Sequence, residues 1–122
     1  MTNKNTMEID GELWRKVDEN VDALPYVIVR CGDAGVHAGY LVEKDPVHKI
    51  VWLAEGLRLW KWHGRTLSGL AVEGPDDVSK CKFGPMVGTK ERPHEIAEYC
   101  EILPVSDEAK AVLLSVSEWV ND

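Results

Sequence analysis

Apolar residues along the chain recur with two different periods. Near both ends they return every three or four positions; between Tyr26 and Trp62 they form β-branched and aromatic runs set apart by turn residues. Leu13, Val17 and Val21, with Trp14 beside them, predict a short amphipathic helix over Gly11–Val21 with Asp10 as its cap, and Leu24-Pro25 turns the chain into extended structure. Tyr26–Cys31 reads as the first strand of the body. Gly32-Asp33-Ala34-Gly35 supplies turn chemistry, and Val36–Lys44 is the return strand of a hairpin. Asp45-Pro46 turns again into Lys49–Ala54, whose Ile50-Val51-Trp52-Leu53 centre is apolar at every position and so predicts burial on both sides. Glu55-Gly56 breaks or bulges the chain before a fourth run, Leu57–Gly64. Alternation along it puts Arg58, Trp60 and Trp62 on one face and Leu57, Leu59 and Lys61 on the other. The four runs read as an antiparallel meander.

After Gly64 the period lengthens. Thr66 caps one or two helical turns that carry Leu67, Leu70 and Ala71 inward and end at Gly74-Pro75. Residues 75–93 show no sustained period, and only Lys80–Phe83 reads as a short strand. Glu95–Leu103 reads as an edge strand because its glutamates fall on both faces. Ile96, Cys100 and Ile102 would share one side, Ala97, Tyr99 and Leu103 the other. Ser106 is an N-cap followed by Asp107 and Glu108, and Ala109, Val112, Leu113, Val116 and Trp119 line one face of a C-terminal helix. The fold class expected is α+β: a curled or barrel-like antiparallel sheet with the C-terminal helix packed on it and a short N-terminal helix. Residues 1–24 form an appendage, and 25–122 form a single β-rich domain.

Charge narrows the partners. A formal net charge of −7 argues against duplex nucleic acid or an anionic membrane surface. It leaves room for a local basic site, since distant carboxylates are screened beyond roughly 8–10 Å. The three cysteines are odd in number and form no C-x-x-C pair; with no signal-peptide pattern they fit a reducing cytosol. No apolar run approaches the roughly 20 residues that span a bilayer.

Most motifs of catalysis are missing. His37, His48, His63 and His94 form no H-x-x-x-H pair, and Cys81, His94 and Cys100 lack zinc-site spacing, so neither a metal nor a cofactor is expected. Gly32-x-x-Gly35 is a turn, and the serines have no nucleophile-elbow surroundings. No catalytic residue is assigned.

What remains is the fourth run, apolar on both faces and so in need of cover from the chain, a second copy or a ligand. Tryptophan and arginine stack on planar groups and bond phosphates, which makes Arg58, Trp60 and Trp62 candidate ligand-binding residues, with Arg30 on a neighbouring strand as a second cation. Three readings stay open: core indoles with Arg58 paired to Glu55, a homo-oligomer interface, or a site for a small anionic nucleotide.

The residues Tyr26-Val27-Ile28-Val29-Arg30, Ala34-Gly35-Val36-His37-Ala38-Gly39, Arg58–Gly64 with Leu67-Ser68-Gly69-Leu70-Ala71, Cys81-Lys82-Phe83 and Glu101-Ile102-Leu103-Pro104 resemble a family of small uncharacterised tailed-phage and prophage proteins over residues 26–119. The resemblance implies a setting, the host bacterial cytoplasm during infection, and brings no activity. The function expected is that of a non-catalytic accessory protein that binds a host nucleotide signal or a host protein, with homo-oligomers expected. A small enzyme on a nucleotide-like substrate and a structural virion component are the alternatives.

Overall fold

Strand β1, Tyr26–Cys31, and β2, Val36–Asp45, form the expected hairpin, with Cys31 N–H donating to Gly35 O at 2.8 Å across the turn. In the computed structural model, residues 20–120 are described. The helix predicted over Gly11–Val21 lies outside them except for its end, where Asn20 caps a single 3-10 turn, Val21–Ala23. The third and fourth predicted runs are one strand, β3, Ile50–Lys61, so the meander has three strands instead of four. Glu55-Gly56 is a bulge within β3. Glu55 has φ 52°, and the β2–β3 register slips there, between Ala38/Leu57 and Tyr40/Ala54. Gly39 lies opposite the bulge, where the backbones approach closely: a Cβ would stand 3.0 Å from Gly56 Cα and 3.1 Å from Ala54 O, tighter than ordinary contact.

The remaining strands use both edges of this hairpin pair. β4, Lys82–Phe83, and β5, His94–Ala97, both pair antiparallel with the outer edge of β3, joined by a bridge between Gly56 and Val87. The chain from 82 to 97 therefore retraces β3 from end to start. β6, Tyr99–Pro104, pairs with β1 at the far edge, giving the order β4-β3-β2-β1-β6 with β5 on β3. Only Glu98, at φ 61°, separates β5 from β6. One residue cannot cross a flat sheet, so the sheet curls until its two edges meet at that end, without closing into a barrel.

The curl creates two cores. On its inner face Val27, Val29 and Cys31 of β1, Val51 and Leu53 of β3 and Ile96 of β5 pack together, with Leu41, Tyr99 and Ile102 against them. On the outer face Tyr26, Ile28, Ala38, Tyr40, Leu57, Leu59, Phe83 and Leu103 are covered by helix α1, Leu67–Glu73, through Leu70 and Ala71, and by α2, Asp107–Leu114, through Leu113. Each fully buried aliphatic contributes roughly 1.5–3 kcal/mol of transfer free energy. The predicted phase of the Glu95–Leu103 strand fails at its centre. Cys100 is an extra residue in β6 between the pairs Arg30/Glu101 and Cys31/Tyr99, so it is exposed while Tyr99 turns to the inner core.

The helices start as the sequence predicts. Thr66 Oγ1 accepts from Gly69 N–H at 3.2 Å, and Ser106 Oγ accepts from Ala109 N–H at 3.0 Å while donating to Val72 O at 2.6 Å, which ties α2 to α1. α2 ends earlier than predicted. Ser115 Oγ donates to Val112 O at 2.7 Å, competing with the helical ladder, and the chain then extends so that Trp119 N–H donates to Phe83 O at 2.9 Å. Trp119 thus lies beside β4 and is not part of the helical stripe. No helix among the described residues is long and apolar enough to cross a membrane.

Candidate functional site

The β2–β3 register puts His37 directly opposite Arg58, and His37 is in turn opposite Val29 of β1. Cross-strand partners share a face, so His37 and Arg58 continue the inner core from Val29 across β2 to the later half of β3. There the apolar filling stops and a recess of about 200 Å³ opens. His37, Gly56, Arg58 and Trp60 line it from the sheet, Gly84, Pro85 and Val87 from the loop between β4 and β5, and His94 from the start of β5.

Three features give this recess its chemistry. The Arg58 guanidinium lies 5.1 Å from the centre of the Trp60 ring, and among the described residues no carboxylate pairs with it. Trp60 itself is 58% exposed, an unusual state for so large an apolar surface. The two histidines meet edge to face at 5.6 Å. His37 is 1% exposed, and its Nε2–H donates to Ala34 O at 2.8 Å, which leaves Nδ1 as the nitrogen that takes up a proton. Burial first, then Arg58 and His94, hold the His37 ring below the usual histidine range, against the upward pull of the Ala34 bond. Burial and Arg58 likewise depress His94. Both rings are thus pushed toward their neutral forms, and Arg58 is the one fixed cation among the described residues of the lining.

Every residue of the recess falls within residues 24–113, the span that matches the family model described as a domain of unknown function, DUF6948. The chain belongs to this family. No curated protein and no solved structure matches it. The DUF6948 span takes in all six strands, α1 and most of α2, so the recess and both cores that shape it lie in the shared domain.

Of the four residues singled out in the sequence, the structure brings together two. Arg58 and Trp60 stand side by side in the recess. Trp62 does not join them, because β3 ends at Lys61 and alternation ends with it: its ring packs against the outer core and its Nε1–H donates to Arg65 O at 2.9 Å. Arg30 lies opposite Val36, one position out of step with the Val29/His37 pair and therefore on the opposite face, where its Nε–H bonds Glu101 Oε1 at 3.0 Å. Arg58 is not paired to Glu55. Leu57 and Leu59 find their cover in the chain's own outer core.

Sequence reasoning missed His37, His94 and the 84–87 loop. The histidines carry no metal-ligand spacing to single them out, and the loop carries no periodic signal. A usable clue existed for His37: equal steps back from the Asp45–Ile50 turn pair reach His37 opposite Arg58. The two register slips on the way, one on each strand, cancel. Chemically, the recess offers a guanidinium fork, an indole surface and apolar walls. Two imidazoles, His37 and His94, complete the polar side chains of the lining, a set that can hold an anion at the guanidinium.

Proposed function

We propose that this protein acts by binding, and that its recess captures a small anionic nucleotide. The phosphate would bond the Arg58 guanidinium and the base would lie against the exposed part of Trp60. The observation that carries this reading is a guanidinium that no carboxylate among the described residues pairs with, in a lined recess beside a half-exposed indole. Arg30, by contrast, pairs with Glu101, and Arg65 with Glu73. Leaving Arg58 unpaired keeps five N–H donors for a ligand. The recess is too small to enclose a whole nucleotide. Its open side next to Trp60 accommodates the remainder.

The likeness to small tailed-phage and prophage proteins supports a setting for this activity: a non-catalytic accessory protein, made in the infected host's cytoplasm, that lowers the free concentration of a nucleotide signal. A second reading, contact with a host protein, draws on the apolar rim of Trp60, Met86 and Val87, which are 58%, 54% and 43% exposed.

Incubation of the purified protein with a broad nucleotide panel, followed by heat release and mass spectrometry, tests the proposal. Stoichiometric recovery of an unaltered nucleotide from the wild type and its loss from R58A is the expected result. Recovery of a chemically altered nucleotide would make the protein an enzyme. Retention of nothing across the panel would remove the nucleotide reading and leave the protein-contact one.

A further inference from the structure

We infer that the recess is selective by charge: at neutral pH it takes a singly charged phosphodiester in preference to a doubly charged phosphomonoester. The inference rests on the anion-binding reading above and specifies its ligand class. Arg58 supplies one positive charge, and among the described residues it is the one permanently charged group that lines the recess. The other polar side chains there are His37 and His94, and the rest of the lining is Gly56, Trp60, Gly84, Pro85 and Val87. One negative charge is matched by one guanidinium. A second would be removed from water with no partner, which is the costly arrangement for any charge beside apolar walls.

The two rings decide how that limit changes with acidity. The charged and titratable groups acting on His37 are Arg58 from β3 and His94 from β5, and the group acting on His94 is Arg58. The loop between β4 and β5 meets the recess with Gly84, Pro85 and Val87, none of which titrates. Glu95, next to His94 in sequence, is turned the other way and accepts from Trp52 Nε1–H at 3.3 Å. Among the described residues no carboxylate therefore stabilises a proton on either ring, and a bound anion would. Bound anion and ring proton stabilise each other, so affinity rises as the pH falls.

The test uses one nucleoside in two forms, its 3′,5′-cyclic phosphate with one charge and its 5′-monophosphate with two, titrated calorimetrically at pH 8. The cyclic diester is expected to bind at least about tenfold more tightly. H94K, which adds a fixed cation beside Arg58, should erase or reverse that preference. Between pH 8 and pH 5.5 the wild type should bind the diester, whose charge is constant, progressively more tightly, and H37Q with H94Q should flatten that trend. Equal or tighter binding of the monophosphate at pH 8 would overturn the charge selectivity while leaving the anion site in place. Failure of both forms and of every other nucleotide to bind would overturn the anion site and the selectivity together.

Discussion

Two tryptophans two positions apart do opposite things, and the difference lies in where a strand stops. Trp60 is inside β3 and follows its alternation onto the inner face; Trp62 is past Lys61 and turns into the outer core. Trp60→Ala should change stability by no more than about 0.5–1 kcal/mol, since the ring is largely exposed, yet weaken nucleotide binding. Trp62→Ala should cost roughly 3 kcal/mol by emptying part of the outer core and losing the bond to Arg65 O. Chemical denaturation of both variants separates the two roles; equal losses would contradict the assignment. Arg58→Ala should leave the fold intact and weaken binding by about 1.5–3 kcal/mol, roughly ten- to a hundredfold. The importance of Arg58 was legible in the sequence because alternation alone put it beside Trp60. The isolation of Arg30 was not, because a one-position difference in register, which composition does not reveal, decides which face a strand residue takes.

At the scale of elements, the clearest departure from the sequence pattern is the bend that converts one predicted edge strand into β5 and β6. The pattern showed a single run because nothing about a glutamate marks it for the left-handed conformation; the demand comes from the edges of the sheet having to meet. Glu98 at φ 61° carries that strain, so Glu98→Gly should raise stability by up to about 1 kcal/mol in thermal melts, and a loss would contradict the account of the bend. The helix starts were legible because capping is local chemistry. Ser106→Ala removes both the cap and the bond to Val72 O, and a cost of about 1–2 kcal/mol is expected. Gly74 fixes how closely the helices approach. Its φ of 78° and the 2.8 Å separation from Val112 Cβ that a Cβ would impose make Gly74→Ala destabilising on two grounds, strain and overlap.

For the whole molecule, the recess follows from the curl. Inner-face side chains of β1, β3 and β5 pack together, and where that filling gives way to His37, Arg58 and Trp60 the recess opens, with burial first and then Arg58 pushing both histidines toward their neutral forms. A histidine whose folded pKa is depressed contributes stability that is present above its unfolded value of about 6.5 and is lost as the pH falls through the folded value. The unfolded chain binds those protons first, so the melting temperature should drop between about pH 7 and pH 5, less steeply in H37Q. The site is where the sequence pattern was least informative, because it is assembled from β2, β3, β5 and an irregular loop that only the three-dimensional register brings together. The central claim, that Arg58 and Trp60 form the ligand site, is tested most directly by titrating isotope-labelled protein with a cyclic mononucleotide and following side-chain N–H signals. The Arg58 Nε–H and Trp60 Nε1–H resonances should move together while Trp62 Nε1–H, bonded to Arg65 O, stays in place. Unmoved Arg58 and Trp60 signals, or shifts centred on Arg30, would contradict it.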